Sequence, residues 1–161
     1  MRSTSPLPAL ERLRRIPGLE SSPTAELIAI DSVSDECRLF AGRVVVRRGC
    51  VPRHILLIAS GSVEVTCDDL PEPKIVGAGG LVGLRPVLQG AGHTEQVVVV
   101  TDVDVLVVNA DDVGRFIALS SIGRLVDRSV AHLPMPQIGR PRSGRGTVAE
   151  RRGGDGEDGG R

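Results

Sequence analysis

Residues 79–101 read GGLVGLRPVLQGAGHTEQVVVVT. Five glycines, Gly79, Gly80, Gly83, Gly90 and Gly92, punctuate the first part, and an apolar β-rich run from Gln96 to Thr101 closes it. Glycine in a loop between apolar segments lets the backbone turn sharply or come close to another group, so the stretch predicts a pocket loop set between strands. It carries few of the polar side chains with which a pocket would hold a charged ligand.

On both sides the chain breaks into short β-rich runs: CRLF (37–40), RVVVRR (43–48), HILLIA (54–59), SVEVT (62–66), KIV (74–76), EQVVVVT (95–101) and VDVLVV (103–108). Val, Ile and Leu dominate them, and turn residues separate them at Ala41-Gly42, Gly49, Ser60-Gly61, Asp68-Asp69, Gly77 to Gly80 and Thr101-Asp102. No helix-length segment separates one strand from the next, which favours an antiparallel roll over a parallel sheet with crossover helices. The expected class is mainly β: an antiparallel double-stranded β-helix, a jelly-roll-like β-roll, with short N-terminal helices and a longer C-terminal helix.

The helices announce themselves by their caps. Ser5 and Pro6 open a first one, with Leu7, Leu10 and Leu13 on one side and Pro17-Gly18 as its stop. Ser22 and Pro23 repeat the signal for a second, ending near Ser34, with Leu27, Ile30 and Val33 on one face and Glu26 in the first turn. Asn109 to Leu133 reads as the longest helix, with Asp111 and Asp112 in its first turn and a broad apolar stripe. Gly114 and Gly123 each weaken it by roughly 1 kcal/mol relative to Ala, so a bend or break is expected there. The stripe packs on the chain's own barrel or on the same helix of a second subunit; for a homodimer the contact would run through Phe116, Ile122, Leu125, Val126 and Val130.

Composition narrows the function. At 161 residues the chain suits one core, residues 1–133, followed by a Gly/Pro/Arg-rich tail, 134–161, that lacks the apolar surface to offset its ordering entropy. Twenty basic and twenty acidic residues balance, so bulk charge attracts neither nucleic acid nor anionic lipid. Phe40 and Phe116 are the only aromatics, too few for a base-stacking surface. Cys37, Cys50 and Cys67 show no metal-motif spacing and read as free thiols. No apolar run reaches the ~20 residues of a membrane span, and the N-terminus has no signal-peptide core, so a cytoplasmic protein without membrane contact is expected.

The order of these features resembles the cyclic-nucleotide-binding domain of the catabolite-activator (Crp/Fnr-like) superfamily, over about Leu10 to Leu133. LRRIPGLESSPTAELIAI (13–30) is similar to the helical lead-in, RVVVRRGCVPRHILLIASGSVEV (43–65) to the strand, glycine and hairpin region with Gly49 and Gly61, and TDVDVLVVNADDVGRFI (101–117) to the last strands and the start of the long helix. The resemblance implies a phosphate-binding cassette that begins at a Gly-Glu pair and ends at an Arg followed by a small residue. There the carboxylate accepts from a ribose hydroxyl, and the Arg and backbone amides hold the cyclic phosphate. Laid on residues 80–100, that pattern puts Gly83 on the glycine, Leu84 on the Glu, Thr94 on the Arg and Glu95 on the small residue. Leu84 accepts no hydrogen bond, Thr94 brings no charge, and Glu95 turns a negative charge toward a phosphate. Arg85 is the nearby cation, and Pro86 after it favours extended backbone at Arg85.

The expected protein is therefore a stand-alone regulatory or interaction module, not an enzyme. It needs no cofactor and does not bind cyclic nucleotides in the usual way; its partner is a small ligand, another protein or a second copy. The alternative is a working cyclic AMP or cyclic GMP sensor that uses Arg85 and backbone amides. A small cupin-like metalloenzyme, which shares the roll, is disfavoured because His54, His93 and His132 stand alone and no His-x-His pair occurs. No nucleophile elbow is present, and the chain after Leu133 has no helical period for a DNA-reading helix-turn-helix.

Overall fold

Two kinds of apolar pattern sort the strands into two sheets. In a computed structural model, which describes residues 6–51, 53–68, 70–89 and 95–130, helices α1 (Pro6–Arg14) and α2 (Thr24–Val33) lead into strands β1 (Ser34–Leu39), β2 (Val44–Val46), β3 (His54–Ser60), β4 (Val63–Cys67), β5 (Lys74–Val76) and β6 (Leu81–Val82). A short helix α3 (Leu84–Gln89), strands β7 (Glu95–Val99) and β8 (Val103–Asn109), and helices α4 (Val113–Ile117) and α5 (Ser120–Val130) follow. One sheet has the order β1-β8-β3-β6 and the other β2-β7-β4-β5, both antiparallel throughout.

The first sheet is covered on both faces. Leu56 and Ile58 of β3 and Val103 and Val105 of β8 join Val63, Val65, Val97 and Val99 of the other sheet in one core. Ile55, Leu57, Leu106 and Val108, pointing the other way, meet Leu13, Leu27, Ile30, Phe116, Ile122 and Leu125 from the helices in a second core. A strand buried on both faces must be apolar at every position, which is why Ile55 to Ile58 form an unbroken run. The second sheet is covered on one face, and β7 alternates buried and half-buried along its length. At the outer edge β1 exposes Asp35 to Arg38, charged or polar side chains that discourage pairing with another strand.

The Ser60-Gly61 turn between β3 and β4 admits only glycine. Gly61 has φ +83°, and a Cβ there would collide with the Asp102 carbonyl oxygen. The mainly β roll with flanking helices is thus the architecture observed, with β6 an addition that its two residues were too short to announce.

Three expectations about helices need correction. The single helix from Asn109 to Leu133 is instead a 3-10 turn (Ala110–Asp112), α4 and α5, and the break falls at Ala118 and Leu119, away from Gly114 and Gly123. Glu26 of α2 causes the restart: its Oε2 accepts from the Ser121 amide at 2.9 Å, capping α5 across 95 residues of sequence. Ser22 does not cap α2, because Pro23 occupies that position, and the Ser22 hydroxyl is buried with no hydrogen-bond partner. Asn109 likewise makes no side-chain cap bond. Thr94 and residues 131–161, with the tail, lie outside the described residues.

Candidate functional site

A glycine loop, a short helix and the second half of α5 meet around one cavity. The loop is fixed by two hydrogen bonds to β3, the Gly79 amide donating to the Ile58 carbonyl at 2.8 Å and the Ile58 amide donating to the Gly80 carbonyl at 2.9 Å. β6 follows, then Gly83, whose φ of +82° turns the chain directly into α3. Arg85 lies inside that helix, contrary to the extended backbone expected before Pro86; the proline falls in the first turn, where its missing N–H costs no helical hydrogen bond.

These elements enclose a cavity of about 440 Å³. Its apolar wall comes from Val65, Val82, Leu84, Leu88, Leu125 and Val126, and its charged groups are Lys74, Arg85, Glu95 and Arg128. Leu84, Arg85 and Glu95 thus line one space together with Gly83. Leu84 is buried against the helical core, so its side chain belongs to the wall. Glu95 opens β7 opposite Cys67 of β4 and is only 9% exposed. Withdrawal from water pushes its carboxyl above the usual carboxylate range, and the Arg85 guanidinium partly offsets this. Pro17, Lys74, Arg128 and the α5 residues come to the cavity from distant parts of the chain, and no local motif marked them.

The residues read as a dimer face are committed within the chain. Phe116 and Ile122 are fully buried and Leu125 nearly so, in the core between helices and sheet, with Val126 packed against it. Of the two partners open to the stripe, the chain's own barrel is the one it covers; the Val130 side chain lies outside what is described. A second cavity, about 800 Å³, lies between α1 and the β1–β8 edge, where Arg12 pairs with Glu36 at 3.1 Å and Arg38 with Asp104 at 3.9 Å. Among the described residues no group of three or more His, Cys, Asp or Glu is arranged to hold a metal ion, and no helix is long and apolar enough to cross a membrane.

A family model described as the cyclic nucleotide-binding domain matches residues 36–120, more than half of the chain. Among solved structures, the chain is similar to a cAMP-binding acyltransferase from Mycobacterium smegmatis, at TM-score 0.62 and 20% identity over 74% of this chain and 38% of that one. It is similar to the regulatory domain of Toxoplasma gondii PKA, crystallised with cAMP, at TM-score 0.63 and 16% identity over 79% and 50% of the two chains. The catabolite activator protein of Thermus thermophilus gives TM-score 0.58 and 20% identity over 71% and 56%. The chain spans between 38% and 56% of these proteins' length, and at such identities the likeness is one of fold. A search of curated proteins found no match.

Proposed function

Because the chain belongs to the cyclic nucleotide-binding domain family, we propose that it is a regulatory or interaction module whose pocket does not hold a cyclic nucleotide in the family's usual way. The observation that carries this reading is Glu95, a buried carboxylate in the wall of the cavity that the cassette residues enclose. Burying a phosphate beside a carboxylate costs several kcal/mol unless cations surround both. Leu84 supports the same reading, because it lines the cavity and, by the family pattern, takes the position of the acceptor for a ribose hydroxyl. Such a module acts through a protein contact or through a different ligand. Thermal unfolding tests it: millimolar cyclic AMP or cyclic GMP leaves the midpoint unchanged, whereas a ligand bound at a hundred times its Kd would stabilise the fold by ~2.7 kcal/mol.

The second reading, a working cyclic-nucleotide sensor, is favoured by Lys74, Arg85 and Arg128, three cations on the same cavity. It requires a nucleotide-dependent rise in the midpoint that disappears in Arg85→Ala.

A further inference from the structure

Strand β1 lies at the edge of the first sheet: it pairs with β8 on one side, and among the described residues no strand pairs with its other side. We propose that this edge is a self-association surface, where β1 of a second copy of the chain pairs antiparallel with it. Cys37 then stands opposite the second copy's Cys37, and Glu36 opposite the second copy's Arg38.

The register of β1 on β8 fixes its faces. Glu36 and Arg38 stand opposite Leu106 and Asp104 and face the helices, whereas Cys37 and Leu39 stand opposite Val105 and Val103 and face the other sheet. A two-fold axis normal to the sheet continues the sheet across the edge and sets each residue opposite one of its own face. That axis passes through a residue, which meets its own copy. Of Asp35, Glu36, Cys37 and Arg38, three would meet their own charge there, and like charges directly opposite are destabilising. Cys37 is the neutral one, and an axis at Cys37 sets Glu36 against Arg38 twice, an opposite-charge pair each time. The charges that oppose an arbitrary strand thus select this one.

The new pairs extend contacts the chain already makes. Arg12 donates to Glu36 at 3.1 Å, and Arg38 stands 3.9 Å from Asp104. Across the edge the row alternates in sign: Asp104, Arg38, the second copy's Glu36 and its Arg12. All four side chains are about half exposed, so each is open to a further partner. β1 pairs with β8 over six residues without a bulge and carries no proline, two devices that would blunt an edge.

Sedimentation velocity of the full chain in low salt tests this at about 100 μM, a concentration suited to a small interface. The native chain is expected to sediment mainly as a dimer, and Glu36→Arg and Arg38→Glu, which set like charges opposite each other, each as a monomer. An equimolar mixture of the two variants is expected to dimerise again, because each offers the charge the other lacks. Both residues lie in exposed ion pairs, whose loss costs little stability. On the native chain a short bismaleimide, adding one thiol at each end, is expected to give a covalent dimer that Cys37→Ala loses and Cys50→Ala keeps. If a variant fails to fold, this cross-link decides. A native chain that is monomeric at about 100 μM overturns the inference. So do single variants that stay dimeric, a mixture of folded variants that stays monomeric, or cross-linking that Cys37→Ala leaves unchanged. The proposed function concerns the cavity, and none of these outcomes alters it.

Discussion

At Glu95 a carboxyl group is withdrawn from water beside the Arg85 guanidinium. Its folded pKa lies above the ordinary 4.5, with burial the larger cause and Arg85 opposing. The folded state therefore binds more protons than the unfolded chain between 4.5 and that raised value, and stability is lost as pH rises through the interval. Glu95→Gln, which keeps the shape without the charge, is expected to stabilise the fold at pH 7 by on the order of 1 kcal/mol, with the gain fading as the pH falls through the raised folded value and gone below 4.5. Urea unfolding at a series of pH values reads this directly, and a variant less stable than the native chain at pH 7 would contradict it. The sequence puts Glu95, by resemblance, at the small-residue position of the family cassette. That it is buried was not legible there, because the register opposite Cys67 and the cavity it shares with α3 are tertiary facts.

Among the elements, α5 depends most on a partner remote in sequence. Its N-terminus is capped by Glu26, whose carboxyl the Ser121 hydroxyl and amide hold below the usual 4.5, with Ser120 and Arg124 adding to the effect against a smaller opposing cost of burial. The stability this gives is present above 4.5 and is lost as pH falls through the lowered folded value. Glu26→Ala is expected to cost about 1 kcal/mol at pH 7, as loss of a helix cap does, and to speed amide exchange in α5 more than in β3. Uniform acceleration over both elements would argue against a local cap. Leu125 of the same helix is 3% exposed in the chain's own core, so Leu125→Ala is expected to cost ~2–5 kcal/mol in unfolding free energy, and Leu125→Asp to unfold the chain before it could report on a dimer. Unaltered stability in Leu125→Ala would show that the side chain packs elsewhere. The helix break had a signal in the sequence: Ser120 and Ser121 favour a helix start over an interior. The apolar stripe running through them, Phe116 to Leu125, masked it.

For the whole molecule, the strands were legible because each sheet face leaves its period in the chain. The run Ile55 to Ile58 reports a strand covered twice, and the alternation of β7 a strand covered once. The cavity was legible only where its wall is local, from Gly79 to Arg85; Pro17, Lys74 and Arg128 reach it through the closure of the roll and the return of α5, which no spacing records. Residues 80–100 lie within the stretch that the family model matches, and the proposal is that Leu84 and Glu95 alter the site within that scaffold. Isothermal titration calorimetry of the full chain with cyclic AMP and cyclic GMP tests that claim most directly. The account predicts no saturable heat at micromolar nucleotide. Micromolar or tighter binding that is lost in Arg85→Ala would contradict it.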